Sequence, residues 1–246
     1  MKGRAPQTGY DRAEYGQARL DTDRNGCDTR SDILGRDLRH VTITPGTNGC
    51  RTEAGTLADP YTATVIDYVR GNDSVDIDHV VSLSNAWQTG AFRWEIRKRA
   101  ALANDPMNLL AVDSSANRQK GDGDTATWLP PDKGFRCSYA ARQISVKAKY
   151  QLWVTVAERD AMARILASCP NQRARTGGAP TISPVAVNQP RRSTPSPDVR
   201  DPVDGSGGVY YQNCDAVRAN GADPIHSGDP GYGPHLDRDG DGIGCE

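Results

Sequence analysis

Asp76-Ile77-Asp78-His79 is followed along the chain by Asn108-Leu109-Leu110 and then by Asn117-Arg118-Gln119-Lys120. These three segments carry a histidine, carboxylates and side-chain amides. A neutral imidazole can take a proton from water near pH 7. Carboxylate and amide oxygens suit a divalent cation, which can hold a phosphate and its departing oxygen. These residue types together indicate metal-dependent hydrolysis of a phosphodiester bond.

The apolar pattern around these segments predicts an α+β fold. Short β-branched runs favour strands, and apolar residues at helical spacing after a capping serine favour helices. The predicted elements are a helix over Tyr61–Arg70, a strand over Val75–Val81, a helix over Ser84–Ala103, a strand over Asn108–Val112, a helix beginning at Ser114 that carries Asn117 and Lys120, and one long or two consecutive helices over Arg142–Ser168.

The composition is that of a polar, loop-rich chain. It has 246 residues, 36% of them hydrophobic, with a mean hydropathy of -0.67. No run approaches the roughly 18 apolar residues that a membrane helix needs. No signal peptide is apparent after Met1, so any export signal is expected to be missing from this chain.

Charge and proline content divide the chain into three parts. Residues 1–170 carry 21 acids and 23 bases, residues 171–208 carry three acids and five bases, and residues 209–246 carry seven acids and two bases. The middle part holds six of the 16 prolines and has no periodic apolar pattern, which predicts a linker. The mildly basic first part suits weak, sequence-independent binding of nucleic acid better than high-affinity reading of sequence.

Six cysteines fall in sequential pairs that bracket local segments: Cys27 and Cys50, Cys137 and Cys169, and Cys214 and Cys245. None lies in a CxxC or zinc-binding pattern. Six cysteines allow 15 connectivities, and sequential pairing would put one bridge in each region. This pattern favours disulfides and an oxidising compartment, although six buried reduced thiols are the alternative.

The three quoted segments resemble those of the HNH (ββα-metal) endonucleases. Several other short motifs resemble those of a secreted actinobacterial branch of that superfamily: Asn85-Ala86-Trp87, Gly90-Ala91, Asn104-Asp105, Asn117-Arg118-Gln119-Lys120-Gly121-Asp122 and Trp128-Leu129-Pro130. The resemblance implies a mostly helical, disulfide-stapled domain around a small ββα-metal core. It also implies a nuclease activity that leaves 5′-phosphates.

The same resemblance implies roles for four residues. His79 is the general base, Asp78 and Asn117 are metal ligands, and Asn108 holds the loop so that His79 points at the phosphate. The third motif position is Asn117 where many members have histidine. An amide oxygen disfavours zinc and favours magnesium, with manganese or calcium as alternatives.

Four neighbouring residues have two interpretations each. Asp76 shares a strand face with Asp78 and is either an outer-shell acid or a solvated residue. Arg118 and Lys120 flank the ligand asparagine as phosphate contacts or as a plain helix face. Arg93 begins a basic surface, formed with Arg97, Lys98 and Arg99, that either contacts the DNA backbone or is ordinary surface.

The C-terminal part ends in a short acidic loop, Asp237 to Glu246, with aspartates at alternate positions and flexible glycines. This spacing, together with Tyr210-Tyr211 and Asn213-Cys214, resembles the Excalibur calcium-binding domain. The resemblance implies a small calcium-loop module. The implied ligands are Asp237, Asp239, Asp241 and Glu246.

A second acidic loop near the N-terminus has the twelve-residue spacing of an EF-hand loop, with Asp21, Asp23, Asn25 and Asp32 as candidate ligands. Aspartate replaces the usual final glutamate, so any binding is expected to be weak. The candidates are a structural calcium site and a turn held by the neighbouring disulfide.

The sequence therefore predicts an extracellular or cell-surface endonuclease over residues 1–170, a linker over 171–208 and a calcium-binding module over 209–246. DNA is the expected substrate, RNA a second candidate, and the protein is expected to be a monomer. The module could associate with a cell surface. The alternative from another class is a non-catalytic, calcium-dependent surface or matrix protein with a decayed nuclease domain.

Overall fold

The computed structural model describes residues 1–17, 19–174, 186–187, 211, 213–233, 236 and 242–245. The chain divides into two compact units, Met1–Arg192 and Ser193–Glu246. The predicted linker over 171–208 lies mostly outside the described residues, so the three-part division stays a prediction. Within those residues, no helix is long and apolar enough to cross a membrane.

The first unit contains a three-stranded antiparallel sheet, β1 (Leu38–Ile43), β2 (Thr52–Ala58) and β3 (Val65–Val69), in that spatial order. The prediction of a helix over Tyr61–Arg70 is wrong. Asp59 accepts a hydrogen bond of 2.8 Å from the backbone nitrogen of Thr62, which makes a turn. The β-branched residues that follow then pair with β2, because their spacing suits a pleated strand as well as a helix.

The predicted ββα unit is present. Strand β4 (Val75–His79) pairs antiparallel with β5 (Leu109–Asp113), and α4 (Ser114–Lys120) follows directly. The helix is capped by Asp113, whose carboxylate accepts from the nitrogen of Ala116 at 2.7 Å, and not by the predicted Ser114. Its end lies at Gly121, which has a φ of 49°.

The segment between the two strands is not the single helix predicted over Ser84–Ala103. It forms α2 (Leu83–Gln88), a 3₁₀ turn (Ala91–Arg93) and α3 (Ile96–Ala103). The break falls at Gly90, whose φ of 138° is open mainly to glycine. The helix is capped two residues earlier than predicted, because Ser82 and not Ser84 accepts from the backbone nitrogen of Asn85.

Three more helices surround this core. Helix α1 (Thr29–Asp37) precedes the first sheet, and the predicted helical region near the end of the unit is resolved into two consecutive helices, α5 (Arg136–Tyr150) and α6 (Val156–Ala167). The turn between α5 and α6 passes through Gln151 in the left-handed region, with a φ of 58°. The α+β class is thus confirmed, and the first unit contains one more sheet than the predicted strand pair.

The predicted disulfide pairing is confirmed for all six cysteines. The bridges are Cys27–Cys50, Cys137–Cys169 and Cys214–Cys245. The first ties the segment before α1 to the loop between β1 and β2. The second ties the start of α5 to the residues just after α6.

The second unit is small. It contains α7 (Cys214–Ala219) and a two-stranded antiparallel sheet of β6 (Ile225–His226) and β7 (Ile243–Gly244). Val217, Ile225 and Leu236 form its core with the half-cystine Cys245. The predicted calcium ligands Asp237, Asp239, Asp241 and Glu246 lie outside the described residues, so their role stays a prediction.

Replacing both Cys27 and Cys50 with serine is expected to lower the free energy of unfolding by about 2–4 kcal/mol, because the bridge closes a loop that unfolding would otherwise leave open. Urea unfolding without reductant measures this loss. In excess reductant, the wild type and the variant should be equally stable. An unchanged urea midpoint without reductant would contradict the expectation.

Candidate active site

Four of the predicted site residues meet at one cavity of about 430 Å³, whereas Asn108, Arg93, Arg118 and Lys120 do not line it. Its lining includes Asp76 and Asp78 from β4, His79 at the strand end, and Asn117 from α4. The antiparallel register of β4 and β5 and the immediate start of α4 bring these sequence-distant groups together.

The imidazole of His79 is held in one orientation. Its Nε2 lies 2.8 Å from the carbonyl oxygen of Ala103, the last residue of α3. A carbonyl can only accept, so Nε2 carries the proton and Nδ1 keeps its lone pair. Burial lowers the pKa of His79 to about 4, and the nearby guanidinium of Arg12 acts in the same direction. The ring is therefore neutral near pH 7 and able to accept a proton.

Asn108 is fully buried and holds the loop after His79. Its Oδ1 accepts from the nitrogen of Val81 at 2.8 Å, and its Nδ2 donates to the carbonyl of Val81 at 3.2 Å and to that of Leu102 at 3.4 Å. The same side chain thus joins the loop to the end of α3, which carries the hydrogen-bond partner of His79. The predicted contact is present, and its effect on catalysis stays a prediction.

Both oxygens of Asp78 accept hydrogen bonds. The Tyr61 hydroxyl donates to Oδ2 at 2.5 Å, and Lys120 Nζ donates to Oδ1 at 2.9 Å. Burial, followed by the nearby Asp78 carboxylate, raises the pKa of Tyr61 well above its ordinary value, so the phenol stays a donor. Each carboxylate oxygen has a second lone pair, which leaves Asp78 able to bind a cation as well.

Lys120 supports Asp78 from inside the protein. Its ammonium is buried and also donates to the carbonyl oxygen of His79 at 2.8 Å. A buried ammonium cannot contact a substrate. The geometry therefore disfavours the predicted phosphate contact of Lys120. Arg118, two residues earlier on α4, is exposed.

Asp76 and Asn117 form the more open part of the cavity. Asn117 Nδ2 donates to Asp76 Oδ2 at 3.1 Å, and both residues are partly exposed. With its nitrogen turned to Asp76, the amide presents its oxygen as the atom for a cation. Asp76 is therefore beside the candidate ligand asparagine and not at a remote strand position.

The predicted basic surface is only partly correct. Arg99 is buried and pairs with Glu14 at 2.7 Å, so it is not part of a surface for DNA. Its neighbour Lys98 lies 4.1 Å from the ring centroid of Trp94. Arg93 is exposed, and the role in DNA contact stays a prediction.

The cavity is also lined by residues of the N-terminal part of the chain that the sequence did not indicate, among them Tyr10, Arg12 and Arg30. Arg12 lies in an N-terminal 3₁₀ turn (Arg12–Tyr15), and Arg30 lies in the first turn of α1. No motif spacing links them to His79. Only the packing of the N-terminal segment against the ββα unit could have revealed them.

The N-terminal acidic loop folds around Asn25. The nitrogen of Asn25 donates to Asp21 at 3.1 Å, and its side-chain nitrogen donates to Asp32 at 3.0 Å. These are the contacts of a closed turn. Among the residues that the structure describes, no group of three or more His, Cys, Asp or Glu side chains has an arrangement suited to a metal ion. Calcium binding here stays a prediction.

The site thus holds a neutral histidine beside carboxylate and amide oxygens on a strand–strand–helix unit. Residues 28–165, more than half of the chain, match the family described as "GmrSD restriction endonucleases, C-terminal domain", and the chain belongs to this family. Residues 211–246 match the Excalibur calcium-binding domain. The predicted combination of a nuclease domain and an Excalibur domain is thus confirmed.

One curated relative is an "Uncharacterized secreted protein" of Arthroderma benhamiae. It is 36% identical over 171 residues, which cover 69% of this chain and 80% of that protein. No solved structure matches the chain. These comparisons do not bear on the predicted actinobacterial origin.

A Lys120→Met substitution is expected to lower the free energy of unfolding by about 3–5 kcal/mol, because it leaves the Asp78 carboxylate buried without its cation. Urea unfolding in the presence of a chelator measures the effect. The matched control is Lys133→Met at an exposed lysine, which should change stability by no more than about 0.5 kcal/mol. Equal losses in the two variants would contradict the buried pair.

His79 should also make stability depend on pH. An unfolded histidine takes a proton near pH 6.5, whereas the folded His79 does so at about 4. The stability that depends on a neutral His79 is fully present above about pH 6.5 and is lost as the pH falls toward 4. Relative to a His79→Asn variant, the wild type should therefore lose stability across this window. A difference in unfolding free energy between the two proteins that stays constant from about pH 6.5 to about 4 would disprove this role of His79.

Proposed function

We propose that this protein is an extracellular, metal-dependent endonuclease of the HNH type that hydrolyses DNA with low sequence specificity. RNA is the second candidate substrate. The observation that carries the proposal is the arrangement of His79, whose Nδ1 is unprotonated at the cavity that also holds Asp76, Asp78 and Asn117. Unlike a surface histidine, this ring is neutral and fixed in one tautomer.

The proton transfer follows from the contacts of His79. Water that attacks the phosphorus gives its proton to Nδ1, while Nε2 keeps its own proton on the carbonyl of Ala103. A cationic imidazolium then forms beside the Asp78 carboxylate, which favours the charged state. Asn108 restricts the loop and the end of α3, so the ring need not reorganise during the step.

The donor set fits a hard divalent cation. Asp78 and Asn117 would hold it, and Asp76 would contribute either directly or through water, because all three present oxygen atoms. When bound, such a cation stabilises the charge on the phosphate and on the departing 3′ oxygen. Few protein oxygens and an open cavity favour magnesium over calcium, and the lack of a second histidine or a cysteine disfavours zinc. The products would carry 5′-phosphates.

The C-terminal module is proposed to bind calcium separately from the active site, through Asp237, Asp239, Asp241 and Glu246. Extracellular location is supported by three disulfides, which persist in oxidising compartments, and by the secreted relative. We further propose the division into residues 1–170, 171–208 and 209–246, a monomeric state, and association of the module with the cell surface.

The test is cleavage of supercoiled DNA, single-stranded DNA and RNA with magnesium, manganese, calcium or chelator. His79→Asn is expected to reduce turnover by at least about 100-fold, because a general base contributes that much. His40→Asn, at an exposed histidine, is the matched control and should cleave like the wild type. Near-normal cleavage by a folded His79→Asn variant would refute the mechanism. Absence of any cleavage by the wild type would favour the non-catalytic alternative.

A further inference from the structure

Two arginines at the active-site cavity, Arg12 and Arg30, have side chains that pair with none of the residues that the structure describes. Both line the cavity, yet neither guanidinium makes an ion pair or a hydrogen bond within the described part of the chain. Arg12 is exposed and Arg30 is half-buried. A guanidinium beside a cavity that also holds carboxylates would ordinarily pair with one of them. Two that do not are available for an anion from outside.

The same two side chains also line a second, larger cavity of about 620 Å³, which shares His79 with the first. Successive side chains of a strand point to opposite faces, so Asp76 and Asp78 lie on one face of β4 and His79 on the other. The arginines border both cavities and therefore lie around the histidine. An anion at this shared border would be within reach of both the base and the acidic face.

Each arginine is carried by backbone that is fixed to the core. In the turn that carries Arg12, the Tyr15 hydroxyl donates to the carbonyl of Leu83 at 2.7 Å. In α1, which carries Arg30, Asp37 accepts from the nitrogen of Ala111 on β5 at 2.9 Å. Because the backbone at both positions is fixed, only the two side chains must be ordered when an anion binds, which lowers the entropy cost of its recognition.

We propose that Arg12 and Arg30 together bind the substrate phosphate and position it against His79. This inference rests on the proposed nuclease function and assigns the phosphate contact to the N-terminal segment. Guanidinium groups match phosphate oxygens in a bidentate fork and remain charged at all relevant pH values. The two arginines would be binding and positioning residues, and the proton transfer would remain with His79.

The first experiment measures binding without cleavage. A fluorescently labelled single-stranded 12-mer is titrated with the full-length protein in chelator at several salt concentrations, with anisotropy as the readout. If both arginines share one phosphate, the Arg12→Gln/Arg30→Gln double variant should reduce the slope of log affinity against log salt by about 0.7. The controls are Arg39→Gln and Arg39→Gln/Arg51→Gln, at exposed arginines that line neither cavity, and the double control removes the same charge as the double variant.

The second experiment measures cleavage by the single variants. Arg12→Gln and Arg30→Gln should each lower kcat/KM by about 10- to 100-fold, the expected loss of a charged hydrogen-bonding contact. Arg12→Lys and Arg30→Lys keep the charge but lose the fork, so they should retain the salt slope while kcat/KM stays several-fold below wild type. The double variant should lose less than the product of the two single losses, because both groups act on one phosphate.

The outcomes separate this inference from the proposed function. Circular dichroism and thermal unfolding check that each variant folds. If Arg30→Gln does not fold, the comparison of Arg30→Lys with the wild type tests the contact instead. Arginine variants that match their controls in both salt slope and kcat/KM would overturn the inference while leaving the nuclease intact. If the wild type cleaves nothing, the nuclease proposal fails, and the salt slopes alone decide whether the arginines bind phosphate.

Discussion

Lys120 and Asp78 form a buried ion pair that joins the helix of the ββα unit to its first strand. The ammonium also holds the backbone carbonyl of His79. A buried charge without its partner is costly, so helix, strand and the backbone that carries the catalytic candidate are held in one relative position. Tyr61, from the segment before β3, completes the arrangement through the other oxygen of Asp78.

This support has a chemical consequence for the two faces of β4. On one face, Asp78 is held from behind, while Asp76 and Asn117 present the more open oxygens. On the other face, the carbonyl oxygen of Ala103 at the end of α3 accepts a hydrogen bond from Nε2 of His79, and Asn108 joins the end of α3 to the loop. The site therefore combines rigid interior contacts with exposed donor atoms, which is how a cavity can be preorganised and still admit a ligand.

The sequence predicted the ββα unit, the meeting of His79, Asp78 and Asn117 at one cavity, and the contact of Asn108 with the loop after His79, because two paired strands followed directly by a helix bring these segments together. It failed where spacing alone is ambiguous. Apolar residues after Tyr61 fit a helix or a strand, and the pairing of β3 with β2 decided between them. The sequence also did not indicate that Arg99 is buried in an ion pair with Glu14, since the two residues are 85 positions apart in the chain. Arg12 and Arg30 escaped notice for the same reason.

The bridge between Cys27 and Cys50 ends three residues before Arg30. Disulfides form and persist in oxidising compartments and are rare in the cytosol. The bridge gives the segment that leads into α1 a covalent tie to the loop between β1 and β2, and α1 carries Arg30 at one wall of the cavity. Oxidation of these two cysteines and restraint of that wall are therefore coupled, so a reducing environment removes a covalent restraint from the cavity.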